Sequence, residues 1–90
     1  MSDTQPVIKM YGAAWCGDTR RARVWFDSHN IPYEWIDIDE NREAEAMVKK
    51  CSNGNRTIPV IIFADGSILV EPSTLTLEQH ANALGLLSNA

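Results

Sequence analysis

The 90 residues carry 44% apolar and 22% charged side chains, the length of one domain and the balance of a water-soluble fold rather than a disordered chain. A net charge of −4 excludes the basic face that nucleic acid or an anionic membrane would require. No apolar run approaches the roughly 20 residues of a membrane span. Met1 to Pro6 lack the basic start and apolar stretch of a signal peptide, so a cytoplasmic location is expected.

Residues 7–11, β-branched and aromatic around Lys9, predict a first strand. Gly12, Ala13 and Ala14 follow as a loop of small residues. A helix is expected over 17–29, with Ala22, Trp25, Phe26 and His29 on one face and Arg20, Arg21, Arg23 and Asp27 on the other. Pro32 marks its end, because the residue before a proline avoids helical angles. Alternation over 33–38 predicts a second strand. Arg42 to Cys51 form a second helix, with Glu43 and Glu45 early and Lys49 and Lys50 late to match its dipole. Asn53, Gly54 and Asn55 stop it.

Residues 59–63 are a continuous apolar strand, buried on both sides. Asp65-Gly66 is a hairpin turn, and 67–70 is the returning strand. Ser73 or Thr74 caps a last helix with apolar positions at Leu75, Leu77, Leu84 and Leu87, cut short by Gly85. The first two strands, joined by a helix, run parallel through a right-handed crossover. The result is an α/β fold, β-α-β-α-β-β-α: a mixed four-stranded sheet flanked by three helices in a single domain over residues 1–90. That is a thioredoxin-like layout.

Two cysteines, Cys16 and Cys51, are too few for a disulfide scaffold, and with His29 and His80 they lack zinc-ligand spacing. No metal site is expected. Asp37, Asp39, Glu40, Glu43 and Glu45 read as a solvated acidic face. Cys16 is different, because it sits where the loop after the first strand becomes a helix. There the free N–H groups and the helix dipole stabilise an anion, and the thiolate is the form of cysteine that attacks disulfides. Arg20, one turn on, adds positive charge on the same face. Thr19 offers a hydroxyl proton to the sulfur, and Asp18 acts against it.

The segment Trp15-Cys16-Gly17-Asp18-Thr19, with Thr57-Ile58-Pro59 and the order of elements, resembles the glutaredoxin family. The stretch from Ala64 to Ser73 is similar to that of mycoredoxins, and the resemblance covers residues 7–87. It implies that Cys16 is the family's nucleophile and Pro59 its cis-proline. It also implies that the backbone of Ile58 pairs with an incoming chain, flanked by Arg56 and Thr57, and that Trp15, Ser73 and Thr74 border the thiol site. Three departures stand out. Thr19 replaces the second cysteine of a Cys-x-x-Cys motif, so the site is monothiol. Ala13 stands where many glutathione-using members have lysine. Glu71-Pro72-Ser73-Thr74 replaces the Gly-Gly-acid turn that grips glutathione.

The activity implied is reduction of protein–small-thiol mixed disulfides by Cys16, with glutathione or mycothiol as cosubstrate and no tightly bound cofactor. The partners are the small thiol and disulfide-containing or thiolated proteins, met by a monomer. An iron–sulfur carrier, suggested by the Cys-Gly start of monothiol glutaredoxins, and a redox-silent binding module on the same fold are the alternatives.

Overall fold

A computed structural model describes residues 7–87; the reading of Met1 to Pro6 lies outside them. The elements are β1 (Lys9–Gly12), α1 (Gly17–Ser28), β2 (Glu34–Asp37), α2 (Arg42–Cys51), β3 (Val60–Ile62), β4 (Ile68–Val70) and α3 (Thr74–Ala83). They follow the expected order, with strands a residue or two shorter at their ends. One boundary moves the other way: β1 includes Gly12, which the sequence reading placed in the loop. A Cβ on Gly12 would lie 2.6 Å from Cγ2 of Thr19. Only glycine lets the strand pass this close under the first turn of α1.

The sheet order is β2-β1-β3-β4. β1 and β2 are parallel, from Lys9 opposite Glu34 to Gly12 opposite Asp37. β3 is antiparallel to β1 and to β4. Side chains alternate between the two faces. Met10 and Ile61 point to one, where Ala22, Trp25 and Phe26 of α1 and Leu77 and Ala81 of α3 cover them. Tyr11 and Val60 point to the other, where Ala44 and Val48 of α2 close over them together with Ile38 and Ile58. Leu69 of β4 packs on the first face, so Ile68 and Val70, both exposed, point to the second.

Two of the three helices, α2 and α3, have side-chain N-caps. Asn41 accepts from the Ala44 N–H at 3.0 Å, and Ser73 from the Thr76 N–H at 3.1 Å. α3 ends at Ala83, before Gly85 at φ 74°. Leu75 does not reach the core: it is 62% exposed. The buried stripe of α3 runs through Leu77 and Ala81, and Leu75 is half a turn from it. Leu84 and Leu87 pack on the core from beyond the helix. His29 also stays outside, stacked on Trp25 with ring centroids 4.3 Å apart. Among the described residues, no helix is long and apolar enough to cross a membrane.

Candidate functional site

Cys16 is the N-cap of α1, with extended angles of φ −80° and ψ 124°. Its N–H donates to the Ala13 carbonyl at 3.1 Å, and its carbonyl accepts the first helical bond from Arg20 at 3.0 Å. No side chain caps this helix. The N–H groups of its first turn have no side-chain acceptor, the Cys16 sulfur included. The thiol is partly buried and packs against the cluster that holds Ala13, Ile58 and Val60.

Ile58 and Pro59 lead into β3, the antiparallel neighbour of β1. Both are buried, and the peptide between them is cis. The Pro59 carbonyl accepts from the Glu71 N–H at 2.7 Å. Thr57 is half-buried beside them. The fold therefore brings the Cys16 loop and Ile58 into one cluster.

Thr19 departs from its expected part. Its side chain is completely buried, wedged against Gly12, and its hydroxyl finds no hydrogen-bond partner, Cys16 included. Its helical position turns it toward β1 rather than along the helix to the sulfur. Arg20 is exposed and, among the described residues, free of ion pairs. Asp18 is paired with Arg21, so the negative charge set against the sulfur carries its own countercharge. Arg23 turns away, donating to the Tyr33 hydroxyl at 3.1 Å and lying 4.1 Å over the Trp35 ring. Ser73 uses its hydroxyl within its own cap, also donating to Thr76 Oγ1 at 3.0 Å, and Thr74 is exposed at the start of α3. None of their hydrogen bonds reaches Cys16, Trp15 or Arg56.

Two of the acids do not simply face solvent. Trp15, 66% exposed, donates its indole N–H to Asp39 Oδ2 at 2.7 Å. Arg56 donates through Nη2 to Asp39 Oδ1 at 2.8 Å and through Nε to Glu45 Oε2 at 2.6 Å. The Trp15 bond first, then Arg56, hold the Asp39 carboxyl below its ordinary value, and Arg56 is raised by Asp39 and then Glu45. Composition could not separate Asp39 and Glu45 from their acidic neighbours. The strand order could have, since residues following β1 and β2 and preceding β3 share one end of the sheet.

Cys51 ends α2, free and partly buried against the same cluster as Cys16. Among the described residues, no three His, Cys, Asp or Glu side chains gather as a metal-binding group.

The sequence model of the Glutaredoxin family matches residues 8–68. A protein of Mycobacterium tuberculosis (strain H37Rv) whose name assigns it to the glutaredoxins is 39% identical over 66 residues, 73% of this chain and 79% of that relative. Mycoredoxin 1 of Corynebacterium glutamicum is 31% identical over 65 residues, 72% of this chain and 80% of its own. In structure, the buckwheat glutaredoxin–glutathione complex superposes with a TM-score of 0.65 at 20% identity, covering 89% of this chain and 74% of that one. This last likeness is one of fold.

Proposed function

The chain belongs to the glutaredoxin family, and from that premise we propose that it is a monothiol thiol-disulfide oxidoreductase that frees protein thiols from mixed disulfides with a small thiol. The observation that carries this reading is the place of Cys16. Its sulfur is partly open at the uncapped start of α1, in the same cluster as Ile58.

In the first step the Cys16 thiolate attacks the small-thiol sulfur of a protein–S–S–R disulfide. A Cys16–S–S–R bond forms, the protein thiolate leaves, and it takes up a proton. In the second step a further small thiolate attacks the R sulfur of that adduct, releasing R–S–S–R and restoring the Cys16 thiolate. Net, one free small thiol is consumed: its sulfur is oxidised into R–S–S–R together with the R group that had blocked the protein, its proton goes to the protein, and the protein sulfur returns to the thiol. Both steps take place at the start of α1, where the first-turn N–H groups carry no side-chain cap and Arg20 is exposed one turn on. Thr19 supplies no second thiol, so release depends on the outside one. The backbone of Ile58, beside Arg56, Thr57 and Pro59, receives the substrate chain as an added strand, and Trp15, Ser73 and Thr74 border the small thiol.

Glutathione and mycothiol are the cosubstrates considered, supported by the glutathione-bound buckwheat relative and by the kinship to mycoredoxin 1. The protein acts as a monomer in the cytoplasm. The test is one turnover. Reduced protein is mixed with a peptide–glutathione disulfide, and each cysteine is read by mass spectrometry. The glutathione adduct is expected on Cys16, not Cys51, and is lost in Cys16→Ser. An adduct formed equally on both cysteines, or on neither, would sink the reading.

A further inference from the structure

Asp39 belongs to neither wall of the proposed groove, yet it is bonded to both. β1 and β2 run parallel and β3 runs against β1. The residues after β1, after β2 and before β3 therefore meet at one end of the sheet. Trp15, Asp39 and Arg56 are those residues. Asp39 divides its carboxylate between them, Oδ2 to the indole N–H at 2.7 Å and Oδ1 to the guanidinium at 2.8 Å. It is fixed in turn by its own N–H, which donates to Asp37 Oδ1 at 2.8 Å, and by the Ile38 N–H, which donates to the Gly12 carbonyl at 2.9 Å. Among the described residues, no hydrogen bond runs directly from the Cys16 loop to the Arg56–Pro59 segment. The Asp39 carboxylate is their polar link.

An indole 66% exposed has little packing to choose its orientation. A short hydrogen bond to a charged acceptor does that instead. Building on the reading of Cys16 as the nucleophile, we propose that Asp39 is a positioning residue of the redox site, holding Trp15 and Arg56 so that the two walls keep one spacing as a disulfide enters. Its value lies in geometry, because exposed ion pairs contribute little to stability while misplacement of reacting groups is costly.

The charged groups around Asp39 are Arg56 from the loop before β3, Glu45 of α2 behind it, and Asp37 at the end of β2. Its carboxyl is held low in the folded protein, so the clasp is complete above the ordinary carboxylate value of about 3.9. It opens as the pH falls through the lowered folded value.

The test is the full chain with Asp39→Ala, which removes both acceptors, and Asp39→Asn, which leaves one. Asp27→Asn, an exposed acid on α1 outside the network, is the control. Transfer from the peptide–glutathione disulfide to Cys16 is timed, and acrylamide quenching of tryptophan emission is followed in parallel, the Trp15 share being the part lost in Trp15→Phe. Asp39→Ala is expected to slow transfer roughly tenfold, short of the ~10²-fold that a 1 Å misplacement costs. Asp39→Asn should fall between, and Asp27→Asn should match the wild type. The Trp15 quenching should change in Asp39→Ala, and the acid transition in that signal should appear in the wild type and Asp27→Asn and be absent from both Asp39 variants. Combining Asp39→Ala with Trp15→Phe should slow transfer by less than the product of the two single effects. Wild-type transfer in Asp39→Ala, or effects that simply multiply, would overturn the proposal. No transfer in the wild type itself would instead overturn the redox reading.

Discussion

The two faces of the sheet are built for different ends. One is covered by α1 and α3 and closes around Phe26, which meets Trp25 and Tyr33 edge-on at 5.3 and 5.4 Å between ring centroids. The other has α2 alone, and its cluster carries both cysteines, partly buried. The comparison separates stability from chemistry. The first face supplies a filled aromatic core that holds β1 and α1 at a fixed angle. The second leaves a sulfur within reach of solvent at the seam between them.

Substitutions can break or sharpen that contrast. Phe26→Ala empties the centre of the first face and is expected to cost about 3–5 kcal/mol, read as a lower urea midpoint. A loss under about 1 kcal/mol would mean that the core does not rest on this ring. Gly12→Ala drives a methyl into Thr19 at the junction of strand and helix. Overpacking of this kind costs about 1–3 kcal/mol. Adding Thr19→Ala, which leaves only a Cβ 3.2 Å away, should recover part of it. Thr19→Val has the opposite sign. It keeps the shape and removes a buried hydroxyl without a partner, so stability should rise by about 1 kcal/mol, read as a higher urea midpoint. A fall would show that the hydroxyl is satisfied in solution. Cys16→Ser is the mildest for stability, within about 0.5 kcal/mol, while ending transfer altogether.

Much of this was legible in the sequence. Seven elements announced themselves through periodicity, caps and the Asp65-Gly66 turn, because local signals and final structure agree there. The strand-to-helix junction at Cys16 was legible for the same reason, whereas the cis bond before Pro59 followed only from the family resemblance, since a proline opening an apolar strand reads as trans. What the sequence hid was set by side chains from distant segments. Thr19 stands three residues after Cys16, which suggested a bond to the sulfur. Its actual neighbour is Gly12, across the packing of helix on strand. Asp39 and Glu45 looked like any solvated acids until the sheet set Trp15 and Arg56 against them. Leu75 looked like core and is not, because the burial of α3 is decided by the single stripe that meets α1 and the sheet.

β4 carries a consequence for the protein in bulk. Ile68 and Val70 stand open on one of the two edge strands, whose outer backbone edge is unpaired among the described residues and is a place where sheets of separate molecules can join. At low ionic strength the net charge of −4 keeps copies apart. At about 1 M salt, where screening shortens to about 3 Å, that repulsion is gone, and this strand with its two exposed aliphatic side chains is one place where copies can meet. A lysine at position 68 would improve solubility in concentrated salt without touching the chemistry.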